Sequence, residues 1–285
     1  MTSTDEDPGS RGRQPRALIV TIYGLYAREV GGWLSVASII RLMAELDVDE
    51  PAVRSSISRL KRRGILLAER VDGQAGYGLS EQARVILDEG DRRIFQRRRA
   101  TVDDGWLLAV FSVPEAEREK RHLLRSRLAW LGFGTVAAGV WVAPAHLYGE
   151  TRDALQRQGL DSYVDLFRAE HLAFAEVAEQ VERWWDLQRL QDLYDDFLTA
   201  YDPVRASLRR KRTIDPRQAF AHYVAALTDW RRLPYSDPGL PTDVLPRGWH
   251  GVRAAETFFD LRERLSGPAH DFVTGVGNGS ERPAG

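Results

Sequence analysis

The sequence predicts an α+β multidomain protein, and three observations lead to that class. The chain has 285 residues, enough for two or three domains that each bury a core. Its hydrophobic content of 43% and charged content of 28% are typical of folded globular chains. Helical spacing of apolar residues dominates the first and last thirds, whereas the middle third alternates short strand-like and helical runs.

The first folded segment, residues 15–99, is predicted to contain three helices followed by a β-hairpin. Ser35 is a candidate N-cap of the second helix, and Pro51 begins the third helix, which ends at Gly64. Apolar runs on both sides of the polar stretch Glu69–Gly76 predict the hairpin, and a basic linker helix follows it to the end of the segment. Three helices and then a hairpin is the order of a winged helix-turn-helix.

The central segment, residues 100–175, predicts a small α/β sandwich of ferredoxin-like type. Strands are expected at Trp106–Val113, Thr135–Val142 and near Ser162–Arg168. One helix, Glu115–Leu131, lies between the first two strands, and a second helix precedes the third. A ferredoxin-like sheet has four strands, so one strand remains unassigned.

The third segment, residues 176–267, is predicted to be a helical C-terminal domain rich in aromatic residues. Three prolines within residues 234–241 interrupt it, because proline lacks the N–H that a regular helix requires. Residues 268–285 are expected to form a flexible tail, and residues 1–14 a disordered leader.

Composition excludes several kinds of chemistry. The chain has no cysteine, which excludes disulfides, thiolate metal sites and cysteine nucleophiles. Its six histidines show no close metal-ligand spacing, and no glycine-rich phosphate motif lies between a strand and a helix. The amino terminus lacks an apolar export signal, and no apolar run is long enough to span a membrane. We therefore expect a cytoplasmic protein that is not an enzyme and holds no metal or cofactor.

The net charge of −1 conceals an uneven distribution of charge. The first 100 residues contain 17 Arg or Lys and 14 Asp or Glu, whereas the remaining residues contain 23 and 27. Three of the first 14 acids lie in the leader, so the first folded segment is distinctly basic. A basic module attached to an acidic body favours a polyanionic partner for that module. An ordinary solvated surface is the alternative interpretation of the charge alone.

The third predicted helix has one apolar and one polar face. At 100° per residue, Val53, Ile57 and Leu60 share the side that faces the core. The opposite side has hydroxyl and guanidinium groups and no acid: Ser55, Ser58, Arg59 and Arg62, with Arg54 on its flank. Short hydroxyls permit close approach to the major groove of double-stranded DNA, and arginines reach guanine edges or phosphates. We therefore predict a DNA-recognition helix, with a solvated basic face as the alternative.

The predicted hairpin extends this candidate surface. Arg70 and Gln74 lie near its tip, where backbone amides and basic side chains can contact phosphates. The predicted DNA-binding residues are therefore Arg54, Ser55, Ser58, Arg59, Arg62, Arg70 and Gln74.

A series of short motifs connects the sequence to a known family. They are Pro15-Arg16-Ala17-Leu18-Ile19-Val20, Tyr23-Gly24-Leu25-Tyr26, Val53–Leu60, Gly64-Ile65-Leu66, Tyr77–Ser80, Gly105-Trp106, Leu131–Gly134, Gly139–Val142, Asp237–Pro241 and Leu245–Trp249. In their order and spacing the chain resembles the PaaX-type transcriptional regulators, repressors of phenylacetate catabolism. The resemblance extends over about residues 15–265. It implies a homodimer that binds a palindromic operator and releases it on binding phenylacetyl-CoA or a related acyl-CoA.

An acyl-CoA effector carries phosphates and an acyl group, so its pocket requires arginines beside aromatic side chains. The C-terminal segment offers two basic clusters. One is Arg209–Arg212, and the other is Arg231 and Arg232 beside Trp230. The second is preferred because the proline-rich segment after it is expected to form an irregular, cleft-like surface. The predicted effector-binding residues are Trp230, Arg231, Arg232 and Trp249.

Two other functions remain open at this point. A nucleic-acid-processing enzyme could use the ferredoxin-like domain, but it would require carboxylate ligands at a strand end. Asp103 and Asp104 instead precede the first predicted strand of that domain. A transcriptional regulator without a small-molecule effector is the second alternative, and in that case the C-terminal aromatic residues form core.

Overall fold

A computed structural model of the chain describes residues 14–96, 98–172 and 174–278. Over these residues the chain contains eleven α-helices and two antiparallel sheets, of three and four strands. The chain is therefore an α+β protein, as the sequence predicts. In the same residues no helix is long and apolar enough to cross a membrane.

The chain divides into two compact units. Over the described parts of these ranges, the first unit comprises residues 1–91, 200–230 and 255–285, and the second comprises residues 92–199 and 231–254. This differs from the expected series of consecutive segments, because C-terminal helices pack with the N-terminal ones in the first unit. Local sequence patterns contain no information about such long-range packing.

The first unit begins with the three predicted helices. They are α1 Pro15–Leu25, α2 Val36–Ala44 and α3 Glu50–Arg62. The Ser38 N–H donates to Ser35 Oγ (3.0 Å), which confirms Ser35 as the N-cap of α2. The Ala52 N–H donates to Asp49 Oδ1 (2.8 Å), so α3 has an equivalent cap.

The predicted hairpin belongs to a three-stranded antiparallel sheet with the order β1-β3-β2. Its strands are β1 Trp33–Ser35, β2 Leu66–Val71 and β3 Gln74–Leu79. Asp72 and Gly73 form the turn with φ angles of 49° and 78°, as a type I′ turn requires. At Gly76 a Cβ atom would lie 2.4 Å from the Trp33 ring, so the pairing of β1 with β3 requires glycine there.

Helix α4, Glu81–Phe95, follows the hairpin but ends before the predicted limit at Arg99. In the second unit, the residues after it have tertiary partners in place of helical ones. The Ala100 N–H donates to Gly239 O (2.8 Å), and Arg99 Nη1 donates to Leu240 O (2.7 Å). These contacts connect Arg99 and Ala100 to Gly239 and Leu240.

C-terminal helices complete the core of the first unit. Helix α9, Pro216–Trp230, contacts α1 through a buried hydrogen bond between Thr21 Oγ1 and Thr228 Oγ1 (2.8 Å). The Phe220 ring lies 5.9 Å from the Tyr26 ring and 5.3 Å from the Phe272 ring. Helices from the last third of the chain therefore pack against the N-terminal helices of the same unit.

The second unit contains a four-stranded antiparallel sheet with the order β5-β6-β4-β7. The strands are β4 Trp106–Phe111, β5 Gly134–Ala137, β6 Val140–Pro144 and β7 Val164–Ala169. Two helices accompany them, α5 Arg118–Trp130 and α6 Tyr148–Arg157. Residues Thr135–Val142 were expected to form one strand and instead form a hairpin. Gly139 forms the turn of this hairpin, with a φ of 78° and a Cβ position that would lie 2.8 Å from Phe111 O. The turn divides the expected strand into β5 and β6, which accounts for the unassigned strand.

The remaining helices lie in the last third of the chain. They are α7 Val177–Trp184, α8 Leu187–Arg209, α10 Leu233–Ser236 and α11 Gly251–Asn278. The expectation of a flexible tail from Pro268 is wrong for residues 268–278, because α11 continues through that proline. Ala269 is fully buried and the Phe272 ring contacts Phe220. This packing stabilises the helix by more than it loses through the missing backbone hydrogen bond at Pro268. Residues 279–285 and residues 1–13 of the predicted leader lie outside the described residues.

Candidate nucleic-acid interface

Helix α3 has the two faces that the sequence predicts. Val53, Ile57 and Leu60 are buried, and each has less than 4% of its surface exposed. The polar side is open: Arg54, Ser55, Ser58, Arg59 and Arg62 are all exposed. The structure therefore brings the five predicted residues of α3 to one accessible face.

Two arginines on this face are held by neighbours one helical turn away. Arg54 forms an ion pair with Glu50, with an Nε–Oε1 distance of 2.7 Å, so its charge is partly balanced. Arg59 Nη2 donates to Ser55 Oγ (3.2 Å), which leaves the charge of Arg59 without a carboxylate in that contact. This contact directs Arg59 along the exposed face of α3.

The hairpin presents its predicted residues at an exposed tip. Arg70 Nη1 donates to Gly73 O (3.2 Å), and Gln74 is exposed on the other side of the turn. At the base of the hairpin, Tyr23 Oη donates to Tyr77 O (2.8 Å). Burial raises the pKa of Tyr23 well above its ordinary value, so this phenol remains protonated and able to donate.

The four residues predicted to bind an effector are divided between the two compact units. Trp230 is completely buried and belongs to the first unit, whereas Arg231, Arg232 and Trp249 belong to the second. The Trp230 ring stacks on Phe258, with ring centroids 4.8 Å apart and an interplanar angle of 10°. A side chain in that position contributes to the core, so the inclusion of Trp230 in an open pocket is corrected.

The other three predicted effector residues differ in accessibility. Burial lowers the pKa of the Arg231 guanidinium, and the charge of adjacent Arg232 also lowers it. Arg232 itself is exposed, and Trp249 is half-buried with its ring edge-on to Tyr194 at 5.7 Å. Arg232 is therefore the member of the set most accessible to a dissolved anion.

Comparison with known protein families covers most of the folded chain. Residues 14–83 match the family model described as PaaX-like protein, residues 99–181 match the PaaX protein central Cas2-like domain, and residues 185–275 match the PaaX-like protein C-terminal domain. The chain belongs to the PaaX family. It is a transcriptional regulator, and membership of this family implies that it binds DNA.

Individual relatives agree with this assignment. The chain is 26% identical over 274 residues to the transcriptional repressor PaaX of Escherichia coli (strain K12), an alignment that covers 94% of this chain and 86% of that protein. Its fold is similar to that of the uncharacterized protein Rv0674 from Mycobacterium tuberculosis, with a TM-score of 0.55 and 21% identity. That comparison covers 88% of this chain and 99% of the other.

The motif Asp237–Pro241, one of those on which the PaaX resemblance rests, is a packed connection within the second unit. All five of its residues are buried, which corrects the expectation of a cleft-like surface there. Asp237 accepts hydrogen bonds from Tyr194 Oη (2.7 Å) and from the Gly239 N–H (2.8 Å). Arg99 Nη2 lies 3.7 Å from the same carboxylate. Tyr194 and Arg99 each lie far from Asp237 along the chain, so no local sequence pattern predicts these contacts.

A second PaaX motif adjoins an arginine–aromatic stack in the same unit. The Trp130 and Tyr235 rings lie 4.8 Å apart, and Arg93 Cζ lies 5.3 Å and 4.9 Å from their centroids. Arg93 also donates to Leu131 O (2.6 Å) and forms an ion pair with Glu150 (3.0 Å). The stack therefore joins the central sheet domain to the short helix α10.

Asp104, one of the two acids considered for metal-dependent chemistry, has structural partners. Asp104 accepts hydrogen bonds from the Thr101 N–H (2.8 Å) and from Arg98 Nη2 (2.6 Å). The hydrogen bond from the Thr101 backbone is the main cause that lowers the pKa of Asp104. Among the residues that the structure describes, no group of three or more His, Asp or Glu side chains could hold a metal ion.

Proposed function

We propose that this chain is a cytoplasmic repressor that binds operator DNA through a winged helix-turn-helix formed by α1–α3 and the β2–β3 hairpin. The observation that carries the proposal is the exposed face of α3, where Ser55, Ser58, Arg59 and Arg62 combine close approach with positive charge. The short antiparallel hairpin directly after the third helix supports the winged arrangement. In the central domain, the strand order β5-β6-β4-β7 supports a ferredoxin-like fold.

Within this surface, we expect different arginines to contact different parts of DNA. Arg59 and Arg62 are expected to contact base edges, since no carboxylate in the described contacts balances Arg59 and neither residue takes part in a described ion pair. Arg54, balanced by Glu50, and the hairpin residues Arg70 and Gln74 are expected to contact phosphates. Phosphate contacts strengthen binding to every sequence, whereas base contacts select among sequences.

Membership of the PaaX family supports a proposal for the regulated process, and the resemblance to that family suggests the effector. The chain is proposed to repress genes of phenylacetate-type catabolism and to release DNA on binding phenylacetyl-CoA or a related acyl-CoA. The exposed guanidinium of Arg232, with Arg231 and Trp249 in the same unit, supports a phosphate-binding contact there. The aromatic rings of Trp130 and Tyr235 are half-buried and could contact the adenine or the acyl group.

In vitro selection tests DNA binding and identifies the preferred operator sequence in the same experiment. The full chain is incubated with a random duplex library, and bound duplexes are amplified over several rounds. We expect enrichment of a palindromic sequence and a homodimer by light scattering, because a two-fold axis doubles the contacts made by one module. Failure to enrich any sequence would contradict the proposed function. A monomer both in solution and on the selected duplex would contradict only the dimer.

Effector binding is tested by thermal unfolding and DNA release with phenylacetyl-CoA. A ligand that binds the native state at 100 times its Kd adds about 2.7 kcal/mol to the free energy of unfolding, so the Tm should rise. Arg232→Ala is expected to release the selected duplex only at an about tenfold higher concentration of phenylacetyl-CoA, because the substitution removes a charge-assisted contact with the ligand.

Free CoA and phenylacetate are compared separately, to distinguish recognition of the nucleotide from recognition of the acyl group. Arg125→Ala, an exposed arginine on α5, is the matched control and should respond like the wild type. Unchanged release by Arg232→Ala would show that the phosphates bind elsewhere.

A further inference from the structure

The turn between α2 and α3 faces α9 across an open cavity of about 520 Å³. Residues of the turn and of α1 line one side of it, and Ala221, His222 and Ala225 of α9 line the other. The space is open to solvent, so close packing does not join the turn to α9 there. Its position therefore depends more on the polar contacts at the edge of the cavity.

Glu45, one of the residues that line the cavity, forms a two-bond ion pair with Arg217 of α9. Arg217 Nε lies 2.6 Å from Glu45 Oε2, and Arg217 Nη2 donates to Glu45 Oε1 (2.7 Å). The Glu45 side chain is only 13% exposed, whereas that of Arg217 is 69% exposed. A carboxylate that is mostly removed from water depends more on its cation for stabilisation than a fully exposed carboxylate does. The planar guanidinium donates two bonds and so fixes the relative orientation of the two side chains.

Arg217 is itself held in place by the start of α9. It is the second residue of that helix, and Asp215 caps the helix by accepting from the Gln218 N–H (2.9 Å). The buried bond between Thr21 and Thr228 connects the far end of α9 to α1. The ion pair thus joins the end of α2 to a helix that is anchored at both ends.

The local charge makes the pair relevant to DNA. Glu45, Asp47, Asp49 and Glu50 place four carboxylates in six residues at the start of α3. Phosphates approaching this end of the helix would be repelled by each uncompensated carboxylate. Arg217 balances Glu45 from outside the helix-turn-helix, in the way that Arg54 balances Glu50 from within α3.

We propose that Arg217 is a positioning residue for DNA binding, which acts through Glu45 to fix the α2–α3 turn and the direction in which α3 is presented. The proposal rests on the proposed DNA-binding function. According to the proposal, α9 influences the affinity for the operator although it begins 154 residues after the end of α3. A displacement of α9 would change the exposed face of α3 without contacting it.

The test compares Arg217→Gln, Arg217→Lys and the reversed pair Glu45→Arg/Arg217→Glu in the full chain. Binding to the selected duplex and to a random duplex is measured over a range of salt concentrations, together with the Tm. We expect Arg217→Gln to weaken binding to the selected duplex about fivefold, with a smaller change on random DNA. The reversed pair should recover most of that loss, and Arg217→Lys, which keeps the charge without the fork, should recover part of it. Arg125→Gln, an exposed arginine in the second unit and outside both candidate surfaces, is the matched control.

Two results would overturn the proposal. Unchanged binding by Arg217→Gln would show that the pair does not position the turn. An equal loss on both duplexes, with a shallower salt dependence and no recovery in the reversed pair, would mean that Arg217 contacts phosphate directly. If Arg217→Gln lowers the Tm strongly, the test rests on Arg217→Lys and the reversed pair. A positioning role requires that these variants bind the selected duplex more tightly than Arg217→Gln does, because they restore the ion pair. Wild-type protein that selects no duplex would contradict the DNA-binding function itself, which is a distinguishable outcome.

Discussion

Replacement of Arg59 or Arg62 by alanine is expected to lower the preference for the selected duplex over random DNA by roughly tenfold to a hundredfold. A bidentate contact between arginine and guanine contributes about 1–3 kcal/mol of discrimination against the wrong base. Both side chains are exposed on α3, opposite the buried Val53, Ile57 and Leu60. Binding to the selected and random duplexes is measured for each variant at one fixed salt concentration, because affinities at different salt concentrations are not comparable.

Two further arginines serve as controls for this experiment. Arg54→Ala is expected to weaken binding to both duplexes to a similar extent, since its ion pair with Glu50 makes it a candidate phosphate contact. Arg125→Ala, in the second unit, should leave both affinities unchanged. If the ratio of affinities is the same in Arg59→Ala, Arg62→Ala and the wild type, neither side chain selects the sequence.

Replacement of Trp230 by alanine is expected to lower the free energy of unfolding by about 3–5 kcal/mol. The side chain is completely buried and stacks on Phe258, and the Phe259 ring meets it edge-on at 6.2 Å. Removal of the indole leaves a cavity that the surrounding aromatic rings can fill only in part. Urea unfolding followed by circular dichroism provides the measurement, with the m-value as a check that the unfolded state is unchanged.

Trp249→Ala provides the comparison, because Trp249 is half-buried and belongs to the other unit. We expect it to be less destabilising than Trp230→Ala. A Trp230→Ala protein as stable as the wild type, but unable to release DNA on addition of phenylacetyl-CoA, would restore Trp230 to the effector site. Loss of stability without a selective loss of release assigns the residue to the core.

The structure also changes the expected relation between the DNA-binding module and the C-terminal helices. Tyr26 of the first module contacts Phe220 of α9, which in turn contacts Phe272 of α11. Residues of the C-terminal segment therefore form part of the compact unit that contains α3. Truncation after α4 would expose this aromatic surface, so mutational tests of DNA binding should use the full chain.

Features that depend on neighbours along the chain could be predicted from the sequence. The apolar side of α3 followed from residues three and four positions apart, which lie one helical turn from each other. The N-cap at Ser35 followed from the preference of a short hydroxyl side chain for that position. The β2–β3 hairpin followed from the polar, glycine-rich stretch between two apolar runs. The five exposed residues of α3 are a consequence of the first of these patterns.

Features that depend on distant partners could not be predicted from the sequence and became visible only in the folded chain. The continuation of α11 beyond Pro268, the complete burial of Trp230 and the hairpin centred on Gly139 each result from packing against residues elsewhere in the fold. Local spacing could not distinguish an aromatic residue of the core from one that lines a pocket, because both occupy the same helical positions. Nor could it pair Glu45 with Arg217, since a hydrogen bond across 172 residues has no local signature. Such contacts exist only once the hydrophobic cores have formed and have brought the two helices together.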